Sequence, residues 1–170
     1  IKNLRAFARQ ESAPLTDVDP VAVVELVLEI SARRLELAEV TVDWTPPEHP
    51  VMVRAGSVRL QQVIMNLLSN AVDAMDGQAD KRIVISVEAE SAAQVAVRVR
   101  DTGPGIAQPE KIFDPFYSTK AVADDSMGLG LSISYGLVQS FGGDIDGQNH
   151  ADGGAIFTVR LPRVEVEAAA

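Results

Sequence analysis

The sequence predicts an α+β domain. Long segments repeat their apolar residues at the helical period, other segments alternate apolar and polar residues with period two, and proline- or glycine-rich turns separate them. Two of the helical segments come early and strands dominate the second half, as in an α+β chain rather than an alternating α/β one. At 170 residues, with 46% hydrophobic and 23% charged, the chain suits one domain with a sizeable core and is too apolar to stay disordered.

The elements follow in order. "IKNLRAFARQ" has helical spacing at Ile1, Leu4, Phe7 and Ala8 until Pro14 and the acidic "TDVDP" break it, so residues 1–13 read as the end of a longer helix and a linker. Pro20 opens a helix through "VAVVELVLEISARRLELA", with Val23, Leu26, Val27, Ile30 and Leu37 at helical intervals. "VTVDW" and "VMVR", joined by "TPPEHP", are expected to form a hairpin-like pair. A helix follows over about residues 56–75. "RIVISVEAE", "QVAVRVRD" and "GAIFTVRLP" are strands by alternation. "MGLGLSISYGLVQSF" is a glycine loop running into a helix whose Ile133, Leu137, Val138 and Phe141 face inward. The main domain spans 14–163, and 164–170 form a disordered tail.

Charge and composition narrow the function. Fifteen basic and twenty-four acidic residues give a net charge of -9, which repels nucleic acid and anionic membrane surfaces, so no direct contact with either is expected and any phosphate site must be local. The absence of cysteine excludes disulfides, zinc-thiolate sites and thiol catalysis, and fits a cytoplasmic location. The longest apolar run, "VAVVELVLEI", is interrupted by Glu25 and Glu29, so no membrane span is expected. A start at Ile1 with no charged-then-apolar leader suggests a piece of a longer protein, whose parent could be membrane-bound.

On a helical wheel, Arg59, Gln62, Asn70 and Asp73 lie within about 40° of Asn66, while Leu60, Ile64, Leu67, Leu68, Ala71 and Met75 take the other side. Such a stripe is ordinarily a solvated face. Amides one turn apart can equally share a Mg²⁺ ion that keeps several waters and takes its remaining ligands from phosphates. "DTGPGI" ends an alternating strand on Asp101, and Gly103 and Gly105 let the backbone approach a flat ligand. A carboxylate there accepts from the exocyclic amine of adenine but faces a carbonyl on guanine. Most D-x-G-x-G turns merely close hairpins. Gly128 and Gly130 precede a helix, whose free N–H groups can hold phosphate.

The order and spacing of the asparagine helix, "DTGPGI", "IFDPFYSTK" and "MGLGLSIS" resemble the N, first glycine, F and second glycine boxes of sensor histidine kinases, over about residues 17–162. The resemblance implies the Bergerat fold: a two-layer α/β sandwich, with a mixed, mostly antiparallel sheet and helices packed on one face. It implies an ATP and Mg²⁺ site in which Asn70 binds the metal with Asn66 beside it, and Asp101 reads adenine. Gly103, Gly105, Gly128 and Gly130 would shape the pocket, with Asp73, Ile106, Ser118, Thr119, Leu129 and Leu131 also around the nucleotide. Phe113 and Phe116 would brace a lid from about Tyr117 to Met127, and Thr158 could approach adenine. Asp73 and Ala74 stand where many members have Lys-Tyr, so the helix lacks a cation at that point, and Lys120 is the candidate replacement. Ser126 replaces a glycine that often opens the second glycine box.

The superfamily's ATPases usually carry a general-base glutamate four residues before the metal-binding asparagine. Asn66 occupies that place, and an amide takes no proton near pH 7, which favours transfer over hydrolysis. A histidine kinase also needs a phosphoacceptor histidine on a helix, but His49 and His150 both fall in loops. By resemblance, "IKNLRAFARQ" ends a dimerisation and phosphoacceptor helix, the acceptor lies upstream of Ile1, and the isolated chain should not phosphorylate itself. The implied partners are that upstream domain and a response regulator, with a homodimeric parent and a fragment that can be monomeric. A non-catalytic ATP-sensing module and a serine kinase of the same superfamily stand as alternatives. The wording of "FYSTK" and "MGLGLSIS" is similar to that of dicarboxylate sensors.

Overall fold

The computed structural model describes residues 14–114 and 130–165. Its elements are β1 (Thr16–Val18), α1 (Pro20–Leu37), β2 (Thr41–Thr45), β3 (Met52–Ala55), α2 (Ser57–Ala74), β4 (Arg82–Ala89), β5 (Gln94–Asp101), a single 3₁₀ turn (Pro109–Lys111), α3 (Gly130–Ser140), β6 (Asp144–Asn149) and β7 (Ala155–Val164).

All seven strands form one sheet in the order β1-β3-β7-β5-β4-β2, with β6 also paired to β7. β5 lies along one edge of β7, from Gln94 opposite Pro162 to Arg100 opposite Ile156. β6 and the end of β3 share the other edge. Every pairing is antiparallel except β2 with β4, which makes the sheet mixed and mostly antiparallel.

Alternation gives this sheet two unlike faces. Ile83, Ile85 and Val87 of β4, Val95, Val97 and Val99 of β5, and Phe157, Val159 and Leu161 of β7 join the residues of α1, α2 and α3 in one buried cluster. The opposite face is ionic: Arg98 pairs with Glu88 and Glu90, and Arg160 with Glu90 and Asp146. With the helices on one face, the molecule is the two-layer sandwich expected.

α2 turns its apolar side inward as the wheel requires, and Leu60, Ile64, Leu67, Leu68, Ala71 and Met75 are all buried. α1 obeys its period less simply. Val23, Val24, Val27 and Leu35 are buried, whereas Leu26, Ile30 and Leu37 are 39%, 58% and 69% exposed. Asp19 caps α1, accepting from the backbone N–H groups of Val21 at 2.9 Å and Ala22 at 3.4 Å, and Pro20 supplies a first turn that needs no donor.

Three expectations about the strands are corrected. "VTVDW" and "VMVR" do not pair with each other: β2 runs parallel to β4 at one end of the sheet, while β3 lies between β1 and β7 at the other. Sequence neighbours joined by a proline-rich loop suggested a local hairpin, but nothing in short alternating segments specifies a partner. "TDV", taken as part of a break, is the edge strand β1, and β7 continues to Val164 opposite Met52, one residue into the expected tail.

Replacing Asp19 by alanine should cost about 1 kcal/mol by removing the cap of α1, read as a lower urea midpoint with an unchanged slope. Leu67→Ala, at a fully buried position, should cost about 2–5 kcal/mol in the same measurement.

Candidate nucleotide-binding site

Three segments converge at one end of the helical layer: the second half of α2, the turn after β5, and the Gly130 end of α3. Asp101 is the last residue of β5 and shares the parity of Val95, Val97 and Val99, so its side chain enters the helix-covered face. It is 2% exposed. Its Oδ1 accepts from the Gly103 N–H at 2.8 Å and more distantly from the Ala155 N–H at 3.4 Å. Burial pushes the carboxyl above its ordinary value of 3.8, and the two backbone N–H groups and Arg100 offset only part of that rise. A carboxylate held this way has further acceptor capacity for an outside donor.

The turn after Asp101 is clamped from two sides. Asn149, at the end of β6, accepts from the Ile106 N–H at 2.5 Å and donates through Nδ2 to the Ile106 carbonyl at 3.0 Å. Gln78, just beyond α2, donates to the Thr102 carbonyl at 3.0 Å. Gly105 has φ +89°, and a Cβ there would lie 2.5 Å from Asn149 Oδ1, so the Asn149 clamp and the glycine require each other. Gly154 behaves alike: its φ is +83° and a Cβ would collide with the Asp101 carbonyl.

On α2, Asn66 and Asn70 are both half-buried. Asn66 Nδ2 donates to the Gly130 carbonyl at 3.2 Å and to Ser134 Oγ at 3.1 Å, which ties α2 to α3. Asp73 is in an ion pair with Arg34 of α1 at 3.0 Å, and the same guanidinium donates to Ser69 at 2.7 Å. The helix that lacks a lysine at this point therefore has a cation brought beside it by another element. Arg59, two turns before Asn66, does not belong to a solvated face: it is 3% exposed, with its guanidinium over the Phe141 ring at 5.2 Å.

The structure places Asn66, Asn70, Asp101, Gly103, Gly105 and Ile106 on these converging segments, with Gly130 and Leu131 opening α3. A Cβ at Gly130 would lie 3.9 Å from Asn66, an ordinary contact, so steric exclusion does not demand that glycine. Phe113 packs against Tyr135 of α3, ring centroids 5.5 Å apart. Thr158 is not brought to the site. It pairs with Arg98 and Asp146 across the strands and shares their ionic face, opposite to Asp101. Phe116, Ser118, Thr119, Lys120, Gly128 and Leu129, with the lid expected over 117–127, lie outside the described residues. His49 is exposed in its loop, and His150 sits in the turn between β6 and β7.

Sequence reasoning missed Asn149, Gln78, Arg34, Ser134 and the Ala155 N–H. Each reaches the site by pairing between distant segments, and a lone asparagine or serine carries no signal of its partner. The only available cue was the second glycine pair, "GG" at 153–154, where the chain must pass close behind Asp101.

The fold is thus a one-faced α/β sandwich with a buried carboxylate at a glycine turn and amides on the facing helix. Residues 55–165 match the family described as histidine kinase-, DNA gyrase B- and HSP90-like ATPase, and the chain belongs to that family. It is 36% identical to the two-component sensor PprA of Pseudomonas aeruginosa over 95% of its own length and 18% of that protein's. It is 32% identical to the C4-dicarboxylate transport sensor protein DctB of the same organism, over 95% of the chain and 26% of the relative. The chain thus spans about a quarter or less of these two curated relatives. The solved catalytic domain of histidine kinase ThkA superposes with a TM-score of 0.76 at 27% identity, covering 88% of this chain and 98% of that one. Among the described residues no helix is long and apolar enough to cross a membrane.

Because burial raises the Asp101 pKa, the folded protein holds that proton more tightly than the unfolded chain. The associated stability is complete below pH 3.8 and is lost as pH rises through the raised value. Asp101→Asn should therefore melt higher than wild type at pH 7 without nucleotide, with the gap shrinking towards pH 4; calorimetry across that range checks it.

Proposed function

We propose that this chain is the Mg–ATP-binding catalytic portion of a two-component sensor histidine kinase, transferring the γ-phosphoryl group of ATP to a histidine on a helical domain upstream of Ile1. The observation that carries this reading is the buried Asp101 carboxylate, aimed into the helix-covered face at the end of β5 and held by backbone N–H groups. Histidine kinase relatives supply the reaction class.

Asp101 accepts a hydrogen bond from the adenine amine, and the clamped turn 102–106 offers its backbone to the ring's edge. Asn70 and Asn66 are the residues that would hold Mg²⁺, because neutral carboxamide oxygens suit a hard cation that keeps water and phosphate ligands. When bound, the ion neutralises phosphate charge. The chain itself then contributes positioning: adenine at one end, phosphates near α2 and α3, and no side chain in the attacking role. Asn66 cannot take a proton from water, which disfavours hydrolysis, and neither His49 nor His150 lies on a helix from which it could be the acceptor. Lys120, Ser118, Thr119, Gly128 and Leu129 lie outside the described residues, and a phosphate role for them rests on the family resemblance. The parent dimerises through its upstream helices, passes the phosphoryl group to a response regulator, and carries this portion in the cytoplasm.

Asn70→Ala and Asn70→Asp should each lower Mg-dependent phosphorylation of a matching helical-hairpin substrate by at least about 100-fold, measured as labelled phosphohistidine. Asp101→Asn should weaken ATP binding by about tenfold or more, since a hydrogen bond to a charged group is worth about 1.5–3 kcal/mol. Wild-type rates in the first pair would remove the metal assignment. Tight ATP binding with no phosphohistidine in a single turnover would leave an ATP-sensing module instead, and phosphoserine would indicate a serine kinase.

A further inference from the structure

Asn66, Ser134 and Gly130 form a closed triangle between α2 and α3. Asn66 Nδ2 lies 3.2 Å from the Gly130 carbonyl oxygen and 3.1 Å from Ser134 Oγ, and Ser134 Oγ lies 2.9 Å from the same carbonyl. A carbonyl can only accept, so the carboxamide atom facing it must be the NH₂ group, which settles the orientation of the amide. The serine's one proton goes to Gly130, and its lone pair accepts from the Asn66 NH₂ group. Asn66 Oδ1 is thereby turned away from these α3 partners.

A helical serine bonding to the carbonyl four residues back is ordinary, and by itself needs no function. Two facts are left over. Ser134 is 0% exposed on a helix face otherwise occupied by Leu137 and Val138, where an apolar residue would fill the space at less desolvation cost. Its hydroxyl also receives a donor from another helix, four residues before Asn70. A glutamate at position 66, the residue of the hydrolysing ATPases, would set a carboxylate against the Gly130 carbonyl and break the triangle.

We propose that Ser134 is a positioning residue for phosphoryl transfer: with Gly130 it locks the Asn66 carboxamide so that Oδ1 points to the cation beside Asn70, and it holds the Gly130 end of α3 against α2. The amide helix and the helix that follows the second glycine segment then act as one rigid unit. This rests on the Mg–ATP reading above, which its test separates from the clasp itself.

The experiment uses the whole 170-residue chain as wild type, Ser134→Ala, Asn66→Ala and the double variant. Without nucleotide, hydrogen exchange of the α3 amides at 130–134 should quicken at least about fivefold in each single variant, since each removes two of the triangle's three hydrogen bonds, with less than the product of the two effects in the double variant and no change in β5 and β7. In titrations of a fluorescent ATP analogue, Ser134→Ala should raise the Mg²⁺ midpoint about fivefold while leaving metal-free ADP affinity within about twofold. Unchanged exchange, or additive effects in the double variant, would overturn the clasp. An equal loss of affinity with and without Mg²⁺ would reduce Ser134 to packing. A wild-type chain that binds no nucleotide defeats the Mg–ATP reading and the positioning role with it, while the exchange result still decides whether the triangle holds the two helices.

Discussion

The alternation of β5 is the constraint on which the rest of this molecule depends. Val95, Val97, Val99 and Asp101 point the same way, three apolar side chains and then one carboxylate. The valines oblige helices to cover that face, because apolar area left in water costs roughly 25 cal/mol per Å². The same pleat then delivers Asp101 into the covered layer, where a bare carboxylate would be far too costly without donors. The Gly103 and Ala155 N–H groups supply them, and acceptor capacity remains on the carboxylate for the adenine contact proposed above. Core and site are two results of one strand's register.

Around that strand end, polar side chains fix the loop backbone, whose apolar anchors are Ile106 and Ile112. Asn149 meets both the N–H and the carbonyl of Ile106, much as a neighbouring strand would, and Gln78 holds Thr102 from the other side. Hydrogen bonds suit this task because they are directional, and each adds only about 0.5–1.5 kcal/mol to stability. Asn66 does the same for α3. The binding region is therefore held mostly by amides reaching across from other elements. The ionic face of the sheet plays another part: its partly exposed pairs around Arg98 and Arg160 contribute little energy and keep the uncovered side polar.

How much of this could be read in advance varied with how local the physics was. The two faces of α2 follow from the 3.6-residue period alone, and so its buried leucines and its asparagines were legible. Asp101 was legible as the end of an alternating strand running into glycines. That Arg59, in the same polar stripe, is buried against Phe141 was not legible, because the wheel gives direction but not what stands opposite. The partners of β2 and β3 were misread because alternation says which face a residue takes and nothing about which strand lies beside it. Thr158 failed for the same reason: its face is settled by the register against β5, where Val99 lies opposite Phe157 and Arg98 opposite Thr158.

The sequence by itself determined the α+β class, the helices, the strands β4, β5 and β7, the inward side of α2, and the box order that places the chain among histidine kinase-type ATPases. These depend on periods and spacings that a linear chain carries whole. Only the tertiary structure decided that β2 and β3 lie at opposite ends of the sheet, that Arg34 meets Asp73, that Asn149 grips Ile106, and that Asn66 turns its amide to Gly130 and Ser134. The last three are meetings of residues more than thirty positions apart, and the first follows from strand pairings as distant; contacts of that kind are set by how the layers close around the core, which no local pattern encodes.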